Sequence, residues 1–149
     1  MKTIIAGSRT INDPKLLEEA ICYSNFKITE VVYGCASGVD LLGKLWAQAN
    51  NITIATFPAD WNKYGKKAGM IRNQEMADYA EALIAIWDGS SKGTLDMIKK
   101  AKENKILTAV FIFDSSKDRF VARSVDVVVN LPEDLFKSLP PTPIQGNTP

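Results

Sequence analysis

Short apolar runs alternate with segments of helical periodicity along most of this chain. The apolar runs end at glycine, proline or aspartate, which is typical of buried strands in proteins that alternate strands and helices. They predict five strands, over residues 2–6, 29–33, 52–57, 82–87 and 107–113, and a short final strand over 125–129.

The segments between these runs carry their apolar residues on one helical face. A first helix is predicted to begin at Pro14, with Asp13 as its N-cap. Further helices are predicted over residues 38–50, 71–79 and 94–104. Strands that alternate with helices indicate the α/β class, with a mostly parallel sheet and helices on both of its faces.

The length and the proline distribution predict one domain. A chain of 149 residues is long enough to bury a substantial core. Prolines accumulate after Leu131, so the domain is predicted to span residues 1–131. Residues 132–149 are predicted to form a C-terminal extension with a flexible tail from Pro140 onward.

The charge and hydropathy of the chain disfavour two classes of partner, nucleic acids and membranes. The chain carries 18 basic and 17 acidic residues, a formal net charge of +1. This balance disfavours a nucleic-acid partner, because nucleic-acid-binding proteins usually present a strongly basic face. No apolar run is long enough to span a bilayer, and the one at the N-terminus is too short for a signal peptide. The sequence therefore predicts a cytoplasmic protein with no membrane partner.

Reactive side chains are few. The sequence has no histidine, which excludes a Ser-His-Asp triad and a Cys-His dyad. Its two cysteines, Cys22 and Cys35, cannot supply the ligands of a zinc site and are interpreted as small buried apolar residues. The composition therefore predicts neither a metal nor a cofactor, and any acid–base chemistry falls to Asp, Glu, Lys, Tyr or Cys.

Three glycine-containing loops follow predicted strands, at residues 7–9, 34–40 and 88–94. In parallel sheets ligands bind beyond the carboxyl ends of the strands, so these loops are expected to share one edge. Glycine lets a backbone approach a phosphate closely, and a helix N-terminus presents free N–H groups to an anion. The loops match neither the common dinucleotide fingerprint nor the P-loop. They nevertheless favour a phosphate-bearing small molecule.

Several motifs along roughly the first 112 residues resemble the SLOG superfamily, specifically its YspA/YpsA-related branch. They are AGSR at 6–9, GCASGVD at 34–40, FPADW at 57–61 with YG at 64–65, IRNQEM at 71–76, and IWDG at 86–89 with KGT at 92–94. The resemblance implies a Rossmann-like fold that binds nucleotides or nucleotide-derived ligands such as ADP-ribose compounds. Members of this branch also occur in phage genomes.

The resemblance and the three loops together predict a ligand site. Arg9 and Arg72 would bind phosphate, and Trp61 would cover a base by stacking. Asp40 either complements the dipole of its helix or accepts a bond from a ribose hydroxyl. Thr94 would cap the last helix and also bond a phosphate. The full set of predicted ligand-binding residues is Gly7, Ser8, Arg9, Gly34, Ser37, Gly38, Asp40, Trp61, Arg72, Asn73, Asp88, Gly89, Lys92, Gly93 and Thr94.

Two positions depart from the relatives that the resemblance implies. The branch usually carries arginine where this chain has Ser37, and the LOG phosphoribohydrolases carry glutamate where it has Asp96. Aspartate withdraws the carboxylate by roughly 1.5 Å, and misplacement on the order of 1 Å costs about 100-fold in rate. If the chain is an enzyme, Arg72, Asp96 and Glu75 are its candidate catalytic residues.

The leading hypothesis is therefore a protein that senses or sequesters a nucleotide-derived signal, such as an ADP-ribose-like or cyclic nucleotide, as a phage-type anti-defence protein would. The first alternative is LOG-like hydrolysis of a nucleoside monophosphate at its N-glycosidic bond. The third is nucleic-acid binding akin to that of DprA. Since LOG-like relatives are commonly dimers, the resemblance also implies a homodimer or larger assembly, in contact through the helix that carries Met70, Met76 and Tyr79.

Overall fold

Six strands form one sheet in residues 1–126, the part of the chain that this computed structural model describes. They are β1 (Lys2–Gly7), β2 (Glu30–Tyr33), β3 (Thr53–Thr56), β4 (Ala82–Trp87), β5 (Leu107–Asp114) and β6 (Arg119–Asp126). The strand order is β3-β2-β1-β4-β5-β6. Strands β1 to β5 run parallel to one another, and β6 runs antiparallel to β5. The order reverses between β1 and β4, the point at which doubly wound folds bind ligands.

Helices cover both faces of this sheet, and the predicted Rossmann-like fold is confirmed. The helices are α1 (Pro14–Ser24), α2 (Val39–Ala49), the one-turn α3 (Trp61–Tyr64), α4 (Ala68–Tyr79) and α5 (Lys92–Glu103). One buried cluster joins α1 and α2 to one face of the sheet, and a second joins α4 and α5 to the other. Neighbouring residues of β1 divide accordingly, since Ile4 packs toward α4 and α5 while Ile5 packs toward α1 and α2.

The start of α1 follows the prediction. Pro14 is its first residue, and the Asp13 side chain accepts a hydrogen bond from the Lys15 amide at 3.0 Å. The helices predicted over 38–50, 71–79 and 94–104 correspond to α2, α4 and α5, but α4 and α5 begin two to three residues earlier than predicted. The difference matters for the site, because α4 begins at Ala68 and α5 at Lys92.

The early start of α4 changes the setting of Arg72. The sequence predicted no helix before residue 71, yet residues 61–67 fold into α3 and a 3-10 turn (Gly65–Lys67) that lead directly into α4. Asp60 caps α3 by accepting from the Lys63 amide at 3.1 Å. Arg72 therefore lies in the second turn of α4 and is half-buried, whereas a solvated first turn was expected.

The helix α4 was predicted to join two subunits through Met70, Met76 and Tyr79, but these side chains are not all on its surface. Met76 is 1% exposed and belongs to the core, and Tyr79 is half-buried against Phe57. Of the three side chains named for this contact, only Met70 is exposed, at 54%. The homodimer stays a prediction, but Met76 cannot contribute to its interface.

The last strand was placed too late in the chain. It spans Arg119–Asp126 and pairs with β5, whereas the sequence predicted a strand over 125–129. Phe120 is the fully buried side chain of this edge strand, so the segment carries no continuous apolar run to mark it. Residues 127–129, the domain boundary at 131 and the predicted extension over 132–149 lie outside the described residues.

Both cysteines are exposed, so their interpretation as buried residues was wrong. Cys22 lies on α1 away from the buried stripe of Leu16, Leu17 and Ala20. Cys35 lies in the loop after β2, with a φ of 68°. Across residues 1–126, no helix combines the length and the apolar character needed to cross a membrane.

Candidate functional site

An open cleft of about 420 Å³ lies between α4 and α5, beyond the carboxyl end of β1. Its walls come from the end of β1, the loop between β2 and α2, residues 61–76 and the first two turns of α5. We refer to it as the α4–α5 cleft. Its volume falls within the range of small-molecule sites, roughly 300–1,000 Å³.

Many of the predicted site residues line this cleft. They are Gly7, Arg9, Asp40, Trp61, Arg72, Asn73, Lys92, Gly93, Thr94 and the candidate catalytic Asp96. The remaining predicted residues do not line it, namely Ser8, Gly34, Ser37, Gly38, Glu75, Asp88 and Gly89. Sequence reasoning missed Lys66 and Met70 as lining residues, because the helical path of residues 61–70 was not foreseen.

Ser8 and Asp88 join two loops of the protein rather than facing the cleft. Ser8 is 1% exposed, and its Oγ accepts a hydrogen bond from the Asp88 amide at 3.0 Å. The Asp88 carboxylate accepts from the amides of Ser90 and Ser91 at 2.9 and 2.8 Å. Burial alone would raise the pKa of Asp88, but these hydrogen bonds outweigh it and lower that pKa. Ser8 was predicted to bind the ligand; in the structure its Oγ joins the loops after β1 and β4 and does not line the cleft.

Gly7 and Gly38 serve the packing of the fold. A Cβ on Gly7 would lie 2.0 Å from the Ile86 carbonyl oxygen. Gly38 has a φ of +71°, and a Cβ there would lie 2.4 Å from the Ser8 carbonyl oxygen.

Gly7→Ala is expected to destabilise the protein by about 3 kcal/mol, because the added Cβ would force the buried backbone at Ile86 to move. Urea unfolding measures this, and a loss below about 0.5 kcal/mol would contradict the packing described here.

The N-terminus of α5 differs from the predicted one. Ser91 is the N-cap, and its Oγ accepts from the Thr94 amide at 3.4 Å and lies 3.1 Å from the Thr94 hydroxyl. Thr94 is buried in the first turn, so its predicted role as the cap was wrong. Lys92 and Gly93 are the first two helical residues, and both line the cleft. The free N–H groups of this helix end therefore belong to the cleft wall.

No packing contact requires the residue at position 93 to be glycine. No heavy atom lies within 4 Å of the position that its Cβ would occupy, and its φ is not positive. Glycine in a helix costs about 1 kcal/mol relative to alanine. Its missing side chain leaves the helix N-terminus open to the cleft.

Asn73 ties α4 to α5 through Asp96. The Asn73 amide donates to Asp96 Oδ2 at 2.9 Å and to the Gly93 carbonyl at 3.3 Å, and Lys100 forms an ion pair with Asp96 Oδ1. Asp96 lies in the second turn of α5, and both of its oxygens are engaged. Glu75, the other candidate carboxylate, is exposed on α4 outside the cleft. Asp96 therefore lines the cleft with each oxygen already bonded to a side chain, and Glu75 does not line it.

Arg72 links the loop after β2 to this network. Its Nη1 donates to the Gly34 carbonyl and its Nε to Asn73 Oδ1 at 3.0 Å. A Cβ on Gly34 would lie 2.8 Å from Asp40 Oδ2 and 3.1 Å from Arg72 Nη1. Gly34 therefore allows a carboxylate and a guanidinium to approach the same backbone segment.

Asp40 is a buried carboxylate in the wall of the cleft. Asp40 is 5% exposed, and its Oδ2 accepts a hydrogen bond from the Ala36 amide at 3.4 Å. Burial raises the pKa of Asp40 to about 6, although the nearby Arg72 acts in the opposite direction. Its position in the first turn of α2 was predicted, but its burial was not, because burial depends on α4 and on the missing side chain of Gly34.

The mouth of the cleft combines apolar and cationic groups. Trp61 and Met70 line it and are each 54% exposed. Lys66, Lys92 and Arg9 line it as well and are exposed. The arrangement offers a flat aromatic surface and positive charge to one small molecule.

Comparison with known proteins shows what this chain is similar to. The model of the YspA, cpYpsA-related SLOG family matches residues 1–64. The Gene 61 protein of Mycobacterium phage D29 is 32% identical over 112 residues, which cover 68% of this chain and 89% of that protein. The X-ray structure of DNA processing protein A (DprA) from Streptococcus pneumoniae superimposes with a TM-score of 0.58 at 15% identity, over 98% of this chain and 59% of that one. The chain thus spans only 59% of the DprA chain, and that likeness concerns the fold.

Proposed function

The chain belongs to the YspA, cpYpsA-related SLOG family, and we propose that it binds a phosphate-bearing, nucleotide-derived small molecule in the α4–α5 cleft. The observation that carries this proposal is Gly93, a helical glycine without a packing role whose missing side chain opens the N-terminus of α5 to the cleft. A helix N-terminus binds phosphate through its N–H groups and its dipole.

The phosphate would lie at the start of α5. Lys92 is the first residue of that helix, and Arg9 lines the same cleft from the loop after β1. Charge-assisted hydrogen bonds from such side chains to phosphate oxygens are about twice as strong as neutral ones. Arg72 would add positive charge from the α4 side.

The nucleoside would lie toward α4. The exposed ring of Trp61 offers a stacking surface for a base, with Met70 beside it in the lining. Asp40 would accept a hydrogen bond from a ribose hydroxyl. Together these contacts describe a nucleotide-derived ligand rather than an isolated phosphate ion.

Such a protein would either sense a nucleotide signal or remove it from solution. The phage relative accords with the second version, in which the protein sequesters a signal of host defence. We expect purified protein to bind at least one member of a panel of nucleotides, NAD derivatives and cyclic nucleotides in a thermal-shift assay. Heating the purified protein and analysing what it releases extends the panel to ligands acquired during expression. Folded protein that binds none of these compounds would contradict the proposal.

Gly93→Ala separates binding from folding. The added methyl meets no protein atom, and alanine is the better helix former, so the free energy of unfolding is expected to rise by about 0.5–1 kcal/mol. Ligand affinity is expected to fall by about tenfold, because the methyl occupies the approach to the helix N-terminus. Urea unfolding and isothermal titration calorimetry measure the two effects. Lys99→Ala, at an exposed position of the same helix that does not line the cleft, is the matched control and should leave affinity unchanged.

A phosphoribohydrolase is the second candidate, because Asp96 lines the cleft where the LOG enzymes carry a glutamate. Its bonds to Asn73 and Lys100 hold it away from the role of a free catalytic carboxylate. We therefore expect no measurable release of adenine from AMP by the wild-type protein, followed by liquid chromatography. Efficient release that disappears in Asp96→Asn would establish the enzyme instead. Gain of release in Asp96→Glu would show that only the reach of the carboxylate is wrong.

Nucleic-acid binding is the third candidate, and the net charge of +1 weighs against it. DprA, one of the solved structures that this chain resembles, is named as a DNA processing protein, and that name describes DprA alone. Filter binding of single- and double-stranded DNA at physiological salt tests this candidate directly, and we expect no retention.

A further inference from the structure

Residues 60–64, which form α3 and its cap, lie beside the mouth of the α4–α5 cleft without contributing to the core. Every one of them is exposed, and so are the three residues of the 3-10 turn that follows. Helices in globular proteins derive most of their stability from burying an apolar face, and a single helical turn is not stable in water by itself. We refer to residues 60–64 as the α3 segment, which is expected to move at a low cost in free energy.

The chain is anchored on both sides of the α3 segment. Before it, the Phe57 amide donates to the Tyr33 carbonyl at 2.7 Å, and the Phe57 ring packs against Tyr79. After it, Ala68 begins α4 and is 1% exposed. The α3 segment therefore spans two fixed points of the fold, and a change in its position does not require a change in the core.

The hydrogen bonds within the α3 segment are local. The Asp60 carboxylate accepts from the Lys63 amide at 3.1 Å, and the Asp60 carbonyl accepts from the Tyr64 amide at 3.0 Å. The Gly65 amide donates to the Trp61 carbonyl. Bonds between residues three or four positions apart maintain the shape of the segment, but they do not fix its position on the protein.

Trp61 connects the α3 segment to α4 and to the cleft. A Cβ on Gly69 would lie 3.5 Å from Trp61 Cη2, so the ring reaches the first turn of α4. The ring nevertheless leaves the residue 54% exposed, and it lines the open cleft. Covering a large apolar side chain is favourable. The α3 segment thus carries an aromatic group that gains contacts when the cleft closes.

Gly65 joins the α3 segment to the 3-10 turn in a conformation that glycine adopts much more readily than other residues. Its φ is +58° and its ψ is −134°. No heavy atom lies within 4 Å of the position that a Cβ would occupy, so glycine is needed here for its backbone angles and not for space. Residues at the ends of elements that absorb large changes in φ and ψ are the usual hinges of lids.

We propose that the α3 segment is a lid that closes over the α4–α5 cleft by rotation at Gly65 and brings Trp61 onto the bound molecule. This rests on the proposed function, because the bound molecule supplies the contacts that hold the lid closed. Closure excludes water from the cleft, which strengthens the attraction of cations such as Arg9 and Lys66 for an anion.

The test measures the distance between the lid and α5 by double electron–electron resonance. Nitroxide labels are attached at Lys63→Cys and Lys99→Cys, two exposed positions outside the lining of the cleft, in a Cys22→Ser, Cys35→Ser background that removes the exposed native thiols. Saturating ADP is the probe. We expect ADP to shorten the mean distance by an amount comparable with the length of α3, roughly 6 Å, and to narrow its distribution.

Gly65→Ala tests the hinge. Alanine has fewer φ and ψ values available than glycine, so the closing motion is expected to be lost. Affinity for ADP should fall by about tenfold, the scale of a strained backbone position, although Gly65 does not line the cleft. Asn25→Ala places alanine at a φ of 58° at the C-cap of α1 and is the matched control, which should leave affinity and distance change unaltered.

Failure of the lid and failure of its premise give different results. If calorimetry shows that ADP binds but the distance does not shorten, or if Gly65→Ala retains full affinity and the full distance change, the α3 segment is a fixed wall and the proposed function stands. A distance that is already short and narrow without ADP leads to the same conclusion. If ADP does not bind to the folded protein, both the lid and its premise are overturned for adenine nucleotides.

Discussion

Replacing Asp40 with asparagine is expected to stabilise the protein by about 3 kcal/mol at pH 8. Asp40 is 5% exposed, and burial raises its pKa from 3.8 to about 6. Each unit of pKa difference corresponds to about 1.4 kcal/mol between the two protonation states. Asparagine keeps the size of the side chain and an oxygen that can accept from the Ala36 amide, but removes the buried charge.

The pH dependence fixes the sign of this effect. Because the folded-state pKa of Asp40 lies above its unfolded value, proton binding stabilises the fold fully below about pH 4, and this contribution is lost as the pH rises through about 6. Asp40→Asn should therefore be more stable than the wild type at pH 8 and nearly equal to it at pH 4. Urea unfolding at both pH values measures the difference. Asp118→Asn, at an exposed position, is the control, and a destabilised Asp40→Asn at pH 8 would contradict the argument.

A carboxylate that costs stability is compatible with a role in function, because departures from folding rules concentrate at functional sites. Asp40 lines the α4–α5 cleft, where the proposed ligand would contact it. The same substitution is accordingly expected to weaken nucleotide affinity while it strengthens the fold, which calorimetry on the two proteins would show.

Local signals in the sequence were sufficient for the framework of this fold. Asp13 and Pro14 mark the start of α1 without help from distant residues. The apolar runs of β1 and β4 were correctly interpreted as buried strands from their length and flanking residues. Two features depended on distant residues. The edge strand β6 has its core contact at Phe120, and the start of α4 depends on the cap that Asp60 gives to α3.

The candidate site also combines features that local sequence predicts with features that depend on distant residues. The sequence placed glycines and polar groups at one edge of the sheet, but it could not separate those that serve the fold from those that face a ligand. Gly7 and Gly93 read alike, yet a Cβ on Gly7 would collide with the β4 backbone, whereas a Cβ on Gly93 would meet no atom. Ser8 was predicted among the ligand-binding residues, and its buried Oγ accepts a hydrogen bond from the loop after β4. Only tertiary neighbours make these distinctions.

Arg72→Ala is expected to weaken both ligand binding and the fold. Its removal leaves the Gly34 carbonyl and Asn73 Oδ1 without their donor, and Asp40 without its nearby cation. Such losses cost about 2–4 kcal/mol of stability at pH 8, and ligand affinity should fall by roughly 10- to 100-fold through the lost charge-assisted bond. Urea unfolding and calorimetry measure the two. Lys66→Ala removes an exposed cation from the same cleft and should affect affinity alone.

The double variant Asp40→Asn with Arg72→Ala tests whether these two charges act on each other. Without Arg72, burial of ionised Asp40 is more costly, so Asp40→Asn should stabilise the Arg72→Ala background by more than about 3 kcal/mol at pH 8. At pH 4 the carboxyl is protonated in the fold, and the two substitutions should be close to additive. Additivity at both pH values would show that Arg72 supports the fold only through its bonds to Gly34 and Asn73. A coupling confined to high pH would show that the guanidinium stabilises the ionised form of Asp40 in the wall of the cleft.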